Sequence, residues 1–395
     1  MNETPEFSLL LLLTHPQPDE QYSVVRQLLA ENEIDWQDFL EKVRWHRVTP
    51  QVYEALKIHR ELVPVEFMSE LQKVYKQCNE ISLQQATWLV KISRLFRENQ
   101  IDFIALKGVL LSQFMYQDCA KREAKDIDII IDYQDLKVAD KLLIEVLGFS
   151  KVTPHAGATQ KQISVLNKRI KDRKYVHKSN GTQLELHWRF WNLEELLNIP
   201  FSKMKSESRL IPFFGESVPF LSYRHLFLYQ SFHGSMSNWY RLHWVSDVAM
   251  MLSMDQPDWE GVVKASEQFV CSRNLVEAVM LAGDLYQLPI PDEIKASFGE
   301  SRQQKAQLRC AKWLLSQAQL PSLRTKLYRD KFFLTWSVFL RSYVDKLWLQ
   351  TGDFKLYTIP DRWFFLYYWL RPVFYASRLL GISGLCKVNK HKKSE

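Results

Sequence analysis

Hydrophobic positions along the chain change period twice. Up to about Asn99, apolar residues recur at three- and four-residue spacing, which predicts helices over Gln21–Glu31, Trp36–His46, Pro50–Ile58 and Val65–Arg97. Asp35 precedes Trp36 as an N-cap. From Ile101 to Phe190 short β-prone runs alternate with helical stretches. Ile101–Leu106 reads as a strand, Lys107-Gly108 as a turn and Val109–Tyr116 as a buried helix. Lys125–Ile131 is then an acidic, β-branched strand. Gln134–Leu147 reads as a helix closed by Gly148, and Asn180-Gly181 as a hairpin turn leading into the strand Gln183–Phe190. From Leu193 to about Leu347 the pattern is again mostly helical, strongest over Arg224–Ser235 and Arg241–Ser253, and punctuated by Pro200, Pro212, Pro219, Pro289, Pro291 and Pro321. Asp330–Gly381 is rich in aromatic residues interspersed with Arg and Lys, and the basic Lys387–Glu395 tail reads as disordered. The expected organisation is an N-terminal helical region (1–99), an α/β core (100–192), a helical domain (193–330) and an aromatic-rich extension with a basic tail (331–395).

The acidic strand carries the most chemistry. Residues two apart on a strand share a face, so Asp126 and Asp128 point one way while Ile127, Ile129 and Ile131 point into a core. Adjacent carboxylates repel unless a cation lies between them, and Mg²⁺ is commonly held by one or two carboxylates plus substrate phosphates. On the later strand, Leu184, Leu186 and Trp188 face one side, and Glu185, His187 and Arg189 the other.

Composition narrows this reading only a little. The chain has 395 residues, 46% hydrophobic and 25% charged, as in a globular protein of two or three domains. A net charge of +7 favours anionic partners: nucleotides, nucleic acid or anionic lipid. Five scattered cysteines without metal-ligand spacing read as reduced thiols of a cytoplasmic protein. Leu9–Leu13 is too short, and too acidic upstream, for a signal peptide; Trp363–Leu370 is broken by Arg371-Pro372, and neither reaches the roughly 20 residues of a membrane span. The basic run Lys161, Lys168, Arg169, Lys171, Arg173, Lys174, Lys178 lacks the interleaved aromatics of a base-stacking surface. It reads as a solvated hairpin or a lip over a triphosphate, with nucleic acid a less favoured partner.

Leu106-Lys107-Gly108, Tyr116, Arg122, Asp126-Ile127-Asp128, Glu185-Leu186-His187-Trp188, His233-Gly234, Trp239, Arg241-Leu242, Trp244 and Asp247 together resemble the bacterial uncharacterised nucleotidyltransferases of the DNA polymerase β superfamily. The resemblance implies an α+β fold: a polymerase β-like α/β core with a mixed sheet, flanked by N-terminal helices and a C-terminal helical domain. It further implies transfer of NMP from an NTP to a hydroxyl or phosphate acceptor, with two Mg²⁺ ions (or Mn²⁺) on Asp126, Asp128 and Glu185. Gly108 lets a phosphate approach the backbone without a Cβ in the way. Lys107 is either a phosphate partner or a strand-end cation. Where the wider superfamily has a serine after this glycine, the chain has Val109.

Several roles stay open. Arg122 meets a phosphate or fixes Asp126. His187 orients Glu185, acts as a base, or is structural, with orientation favoured. Arg241 reaches phosphate, and Asp247 pairs with Arg241 or His233, unless these residues form a buried polar network between domains. Arg44, His46 and Arg47 touch a ligand or form a solvated face. The acceptor is unknown, with a small molecule such as a sugar favoured. The rival reading is a weak or inactive binding protein of this fold for a protein, nucleic-acid or membrane partner. The aromatic stretch within 331–395 reads as a buried helix pair in preference to a peripheral membrane contact, which would place a cytoplasmic protein at the inner membrane.

Overall fold

The structure, a computed structural model, describes residues 4–153, 157–193, 195–254, 258–296, 302–333, 336, 338–340, 348–349, 353–354 and 359–379. The basic tail lies outside them.

Five helices come first: α1 (Pro5–Leu13), α2 (Tyr22–Glu31), α3 (Trp36–His46), α4 (Thr49–Leu56) and α5 (Val65–Glu98). The Leu9–Leu13 run belongs to α1, which is apolar on all sides and buried on nearly all of them, as such a helix must be in water. The Asp35 carboxylate accepts from the backbone N–H groups of Gln37 and Asp38 and caps α3. The 34-residue α5 buries Leu71, Cys78, Gln85, Leu89, Ile92 and Phe96 at three-, four- and seven-residue intervals. The first half of α5 packs on α3 and α4, where Phe67 meets Phe39 and Tyr75 stacks on Tyr53, and the second half reaches the sheet, where Trp88 meets Phe149 and Phe96 meets Phe103.

The core contains β1 (Phe103–Ala105), α6 (Val109–Tyr116), β2 (Ile127–Ile131), α7 (Leu136–Glu145), β3 (Phe149–Thr153), α8 (Gln160–Asn167), β4 (Asp172–His177) and β5 (Gln183–His187). A short α9 (Phe201–Ser206) precedes β6 (Arg209–Phe213) and β7 (Glu216–Phe220). The seven strands form one mixed sheet in the order β3-β4-β5-β2-β1-β7-β6. β2 runs parallel to β5 and antiparallel to β1, and every residue of β2 is buried, as expected for a central strand covered on both faces.

The β6–β7 hairpin corrects the expectation that the chain after residue 192 is helical, since it extends the core sheet to Phe220. Its signals are weak. Its loop is Phe214-Gly215, both at positive φ (48° and 79°), so the chain makes a tight hairpin without the usual Asn-Gly pair. Pro212 lies on the edge strand, where a missing N–H is tolerated. Glu216 ties the hairpin to α5 through Arg94 (2.6 Å) and Arg97 (2.7 Å).

The helical half follows: α10 (Tyr223–Met236), α11 (Leu242–Leu252), α12 (Trp259–Gln268), α13 (Ser272–Tyr286), α14 (Asp292–Ala296), α15 (Arg302–Ser316) and α16 (Leu323–Phe333). One continuous apolar core joins the N-terminal helices, the sheet and these helices. A second, smaller core packs Leu166 of α8 against Leu349, Phe354, Phe364, Tyr367 and Phe374, so part of the aromatic extension docks on the helix before β4.

Trp239 locks α10 to α13. Its indole N–H donates to Glu277 Oε2 at 2.8 Å, and a Cβ on Gly234 would lie 2.0 Å from its ring. The ring is fully buried and has nowhere to retreat. Gly234→Ala is therefore expected to destabilise the protein by on the order of 1–3 kcal/mol, measured by urea denaturation. Wild-type stability in that variant would show that the ring does not rest on the glycine.

Candidate active site

Parallel pairing sets Asp128 of β2 beside Glu185 of β5 in register. His187, two residues further along β5, shares that face. Its Nε2 lies 3.2 Å from Asp128 Oδ1 and 3.5 Å from Glu185 Oε2. Among the described residues, these three side chains each offer a ligand atom within 4.8 Å of the others. Asp126 stands just before β2, outside that group of three but near enough to Asp128 for their charges to oppose each other.

Lys107 and Gly108 reach the same place because the Leu106 N–H donates to Asp128 O (3.0 Å), carrying the end of β1 past the acids. Lys107 Nζ is 3.3 Å from Asp128 Oδ1. Gly108 has φ 71° and ψ −142°, and a Cβ there would sit 3.0 Å from Asp126 O. Only glycine serves both conditions. Val109 turns into the apolar core, so no hydroxyl stands at that helix start.

The acids sit in a polar cavity of about 290 Å³. Arg47, Lys171 and Lys174 line it together with Lys107 and Glu185. Lys174 pairs directly with Glu185. The basic run is thus divided, with two of its lysines turned toward the acids.

Electrostatics distinguish the acids. Burial and the neighbouring Asp128 push the Asp126 pKa up to about 6. Burial presses Asp128 the same way, but Lys107 and His187 outweigh it and hold its pKa below the usual carboxylate value. Glu185 is likewise held low, because His187 and Lys174 outweigh its burial. Burial and Lys171 press the His187 pKa down, yet its hydrogen bonds to Asp128 and Glu185 carry it above the ordinary histidine value.

The remaining sequence-derived residues divide into two groups. His233 lines the cavity, and burial together with Lys107 and Lys171 keeps it neutral. Arg122 also borders the cavity, but its Nε and Nη2 grip the two oxygens of Asp247 at 2.7 and 2.8 Å, both side chains buried. Asp247 therefore pairs with Arg122 rather than with Arg241 or His233. Arg241 does not line the cavity: it donates to Trp45 O and lies over the Trp45 ring at 5.1 Å. It ties the start of α11 to the end of α3. Of the three α3 candidates, Arg47 lines the cavity, Arg44 pairs with Glu70 and His46 accepts from the Leu242 N–H.

Sequence reasoning missed Tyr229, Gln230 and His243. Tyr229 has a buried hydroxyl near Lys107 and Asp128 without a hydrogen-bond partner among the described residues, while Gln230 and His243 line the cavity. The available signal was Gln230 and His233, one turn apart on a helix that is buried almost throughout.

The architecture is of the polymerase β-like nucleotidyltransferase class: a mixed sheet with flanking helices, an acidic pair on parallel strands and a glycine turn beside it. The chain belongs to the uncharacterised nucleotidyltransferase family, whose model matches residues 32–287. No curated protein matches it. The crystal structure of an antigenic nucleotidyltransferase-like protein from Paracoccidioides brasiliensis is similar at 14% identity and a TM-score of 0.33, covering 53% of this chain and 94% of that one.

The raised Asp126 pKa sets a sign for stability. In the unfolded chain an aspartate titrates near 3.9. The folded protein therefore holds this proton more tightly, and the stability it contributes is full below about pH 4 and lost as pH rises through about 6. Without divalent metal, Asp126→Asn is expected to be more stable than wild type at pH 7.5, by on the order of 1–3 kcal/mol, and to lose that advantage near pH 4. Denaturation at several pH values checks it; a difference that does not vary with pH would refute it.

Proposed function

We propose that the protein is a metal-dependent nucleotidyltransferase that moves NMP from an NTP to a hydroxyl or phosphate acceptor and releases pyrophosphate. The observation that carries this reading is the register of Asp128 against Glu185 with Asp126 alongside, beside a glycine turn in a cation-lined cavity. The donor set fits a hard divalent ion. Among the described residues Asp128 Oδ2 is a buried carboxylate oxygen without a hydrogen-bond partner, and its neighbours within ligand reach are a Glu185 carboxylate oxygen and a His187 ring nitrogen. Asp126, Asp128 and Glu185 would hold Mg²⁺, with Mn²⁺ as an alternative. When bound, the metal supplies positive charge for the phosphates and for the acceptor oxygen.

The chain's own residues do the rest. Lys107 and the backbone at Gly108 hold triphosphate oxygens at the start of α6. His187, donating toward Asp128 and Glu185, keeps both carboxylates aimed at one point. Arg122 and Asp247 bind nothing themselves; by joining the loop before Asp126 to α11, they fix the helical wall against the acids. His233 stays neutral and adds no charge to that wall.

A second reading, a binding protein of this fold with weak or no activity, draws on two observations. The helix start lacks a hydroxyl at Val109, and Lys107, His187 and Lys174 already neutralise the acids. Calorimetry separates the two readings. NTP binding is expected to require Mg²⁺ and to be lost in Asp128→Asn, and pyrophosphate release should follow once an acceptor is supplied. Absent binding, or binding indifferent to both metal and mutation, would reject the transferase.

We further propose a peripheral membrane contact through the aromatic extension, away from the residues that line the cavity. No helix among the described residues is long and apolar enough to cross a bilayer. The Phe365–Leu379 helix nevertheless turns Phe365, Trp369 and Val373, at four-residue spacing, to solvent at 51%, 79% and 60% exposure. Aromatic faces of this kind favour a bilayer interface. Co-sedimentation with anionic vesicles should fall in Trp369→Ser; equal pelleting of the variant would refute the contact.

A further inference from the structure

Cations outnumber acids around the cavity, and, Lys125 and Lys174 aside, the cations lining it and Arg241 next to it fall into two groups. Six lining residues are Arg or Lys and three are Glu or Asp. One group is Lys107 and Lys171, whose charges both bear on His233. The other is Arg47, Arg122 and Arg241, whose charges all bear on His243. The first group stands on the sheet side: Lys107 ends β1, and Lys171 precedes β4 with its Nζ 3.6 Å from Asp172 Oδ2. The second stands where α3 meets α11.

Within the second group only Arg47 is uncommitted. Arg122 is held by Asp247, and Arg241 by Trp45. Arg47 caps α3 in the left-handed conformation (φ 57°, ψ 50°), which turns the chain sharply and directs its side chain to the cavity. That side chain has no hydrogen bond or ion pair among the described residues. Glu123 and Asp126 favour its charge from a distance, while Arg241 opposes it. A guanidinium partly withdrawn from water, beside a second arginine and without a partner, is unfavourable unless a ligand brings an anion.

A triphosphate has a single run of negative charge. At the Lys107-Gly108 turn, that charge lies against the sheet-side group and leaves Arg47 unanswered. Resting on the transferase reading above, we infer that the acceptor carries its own anionic group, phosphate or carboxylate, and that Arg47 binds it. Arg47 is then a specificity-determining residue that separates charged from neutral acceptors, and its five N–H donors suit either anion.

The test uses the full chain loaded with Mg²⁺ and an α,β-methylene NTP analogue, titrated calorimetrically with glycerol 3-phosphate, glycerate or glycerol. At least one of the two anions is expected to bind the loaded protein while glycerol does not, and the anion that binds names the group. Arg47→Gln should weaken that binding roughly tenfold or more and leave analogue affinity unchanged, with partial recovery in Arg47→Lys. Lys171→Gln should weaken the analogue instead. The inference is overturned if neither anion binds the loaded wild type, or if Arg47→Gln weakens the analogue as much as the anion, which would assign Arg47 to the triphosphate. Should Arg47→Gln fail to fold, the wild-type contrast between the anions and glycerol still decides. Failure of the analogue to bind wild type at all would remove the transferase reading, and this inference with it.

Discussion

Two carboxylates held side by side on buried parallel strands repel each other, and removing them from water raises that repulsion. Asp128 and Glu185 are in this position because β2 and β5 pair in register, so no side-chain rotation can separate them fully. Much of the surrounding architecture answers this constraint. Lys107 arrives from β1, Lys174 from β4, and His187 from the same strand as Glu185, each within reach of an acid oxygen. The positive charges come from strands on both sides of β2, β4 and β5 on one side and the end of β1 on the other, so the sheet itself is what neutralises the site.

The compensation is incomplete, and its remainder is informative. Asp128 Oδ2 keeps no hydrogen-bond partner among the described residues, and Asp126 retains its proton more tightly than an ordinary aspartate because burial and the charges of Asp128 and Glu185 disfavour its ionised form. A site that is over-supplied with acid at its centre and with cations at its rim suits a substrate that is itself negative and brings a divalent ion. The second wall is built differently. Trp239, Arg241 and the Arg122–Asp247 pair fasten helices to one another and to the loop before Asp126, which makes that wall rigid without adding free charge.

Much of the fold could be read directly. The four helices from α2 to α5, the turn at Lys107-Gly108, the acidic strand and the Asn180-Gly181 hairpin all follow from local rules of spacing and turn chemistry. The β6–β7 hairpin did not, because its strands carry prolines and its turn uses Phe214 where asparagine or glycine would announce it. It is held by the ion pairs of Glu216 with Arg94 and Arg97 of α5 and by its place at the end of the sheet, neither of which is local. Buried α1 was also hidden, since an apolar run of five leucines looks alike in a core helix and in many other settings.

The candidate site divides in the same way. Residue type and two-residue spacing on a strand were enough to bring out Asp126, Asp128, Glu185 and His187, because alternation on a strand is a property of the backbone alone. Partnership was not: Asp247 chose Arg122 over Arg241, and Arg241 chose Trp45, because these contacts join residues more than a hundred positions apart. Which lysines of the basic run face the acids, and that Arg47 reaches them from α3 while Tyr229 and Gln230 close over them from α10, depended on how the helical layers dock on the sheet. Sequence determined the chemistry that this protein carries on its strands; tertiary packing decided which charges meet across the cavity, since a charge acts over distances that only the folded chain defines.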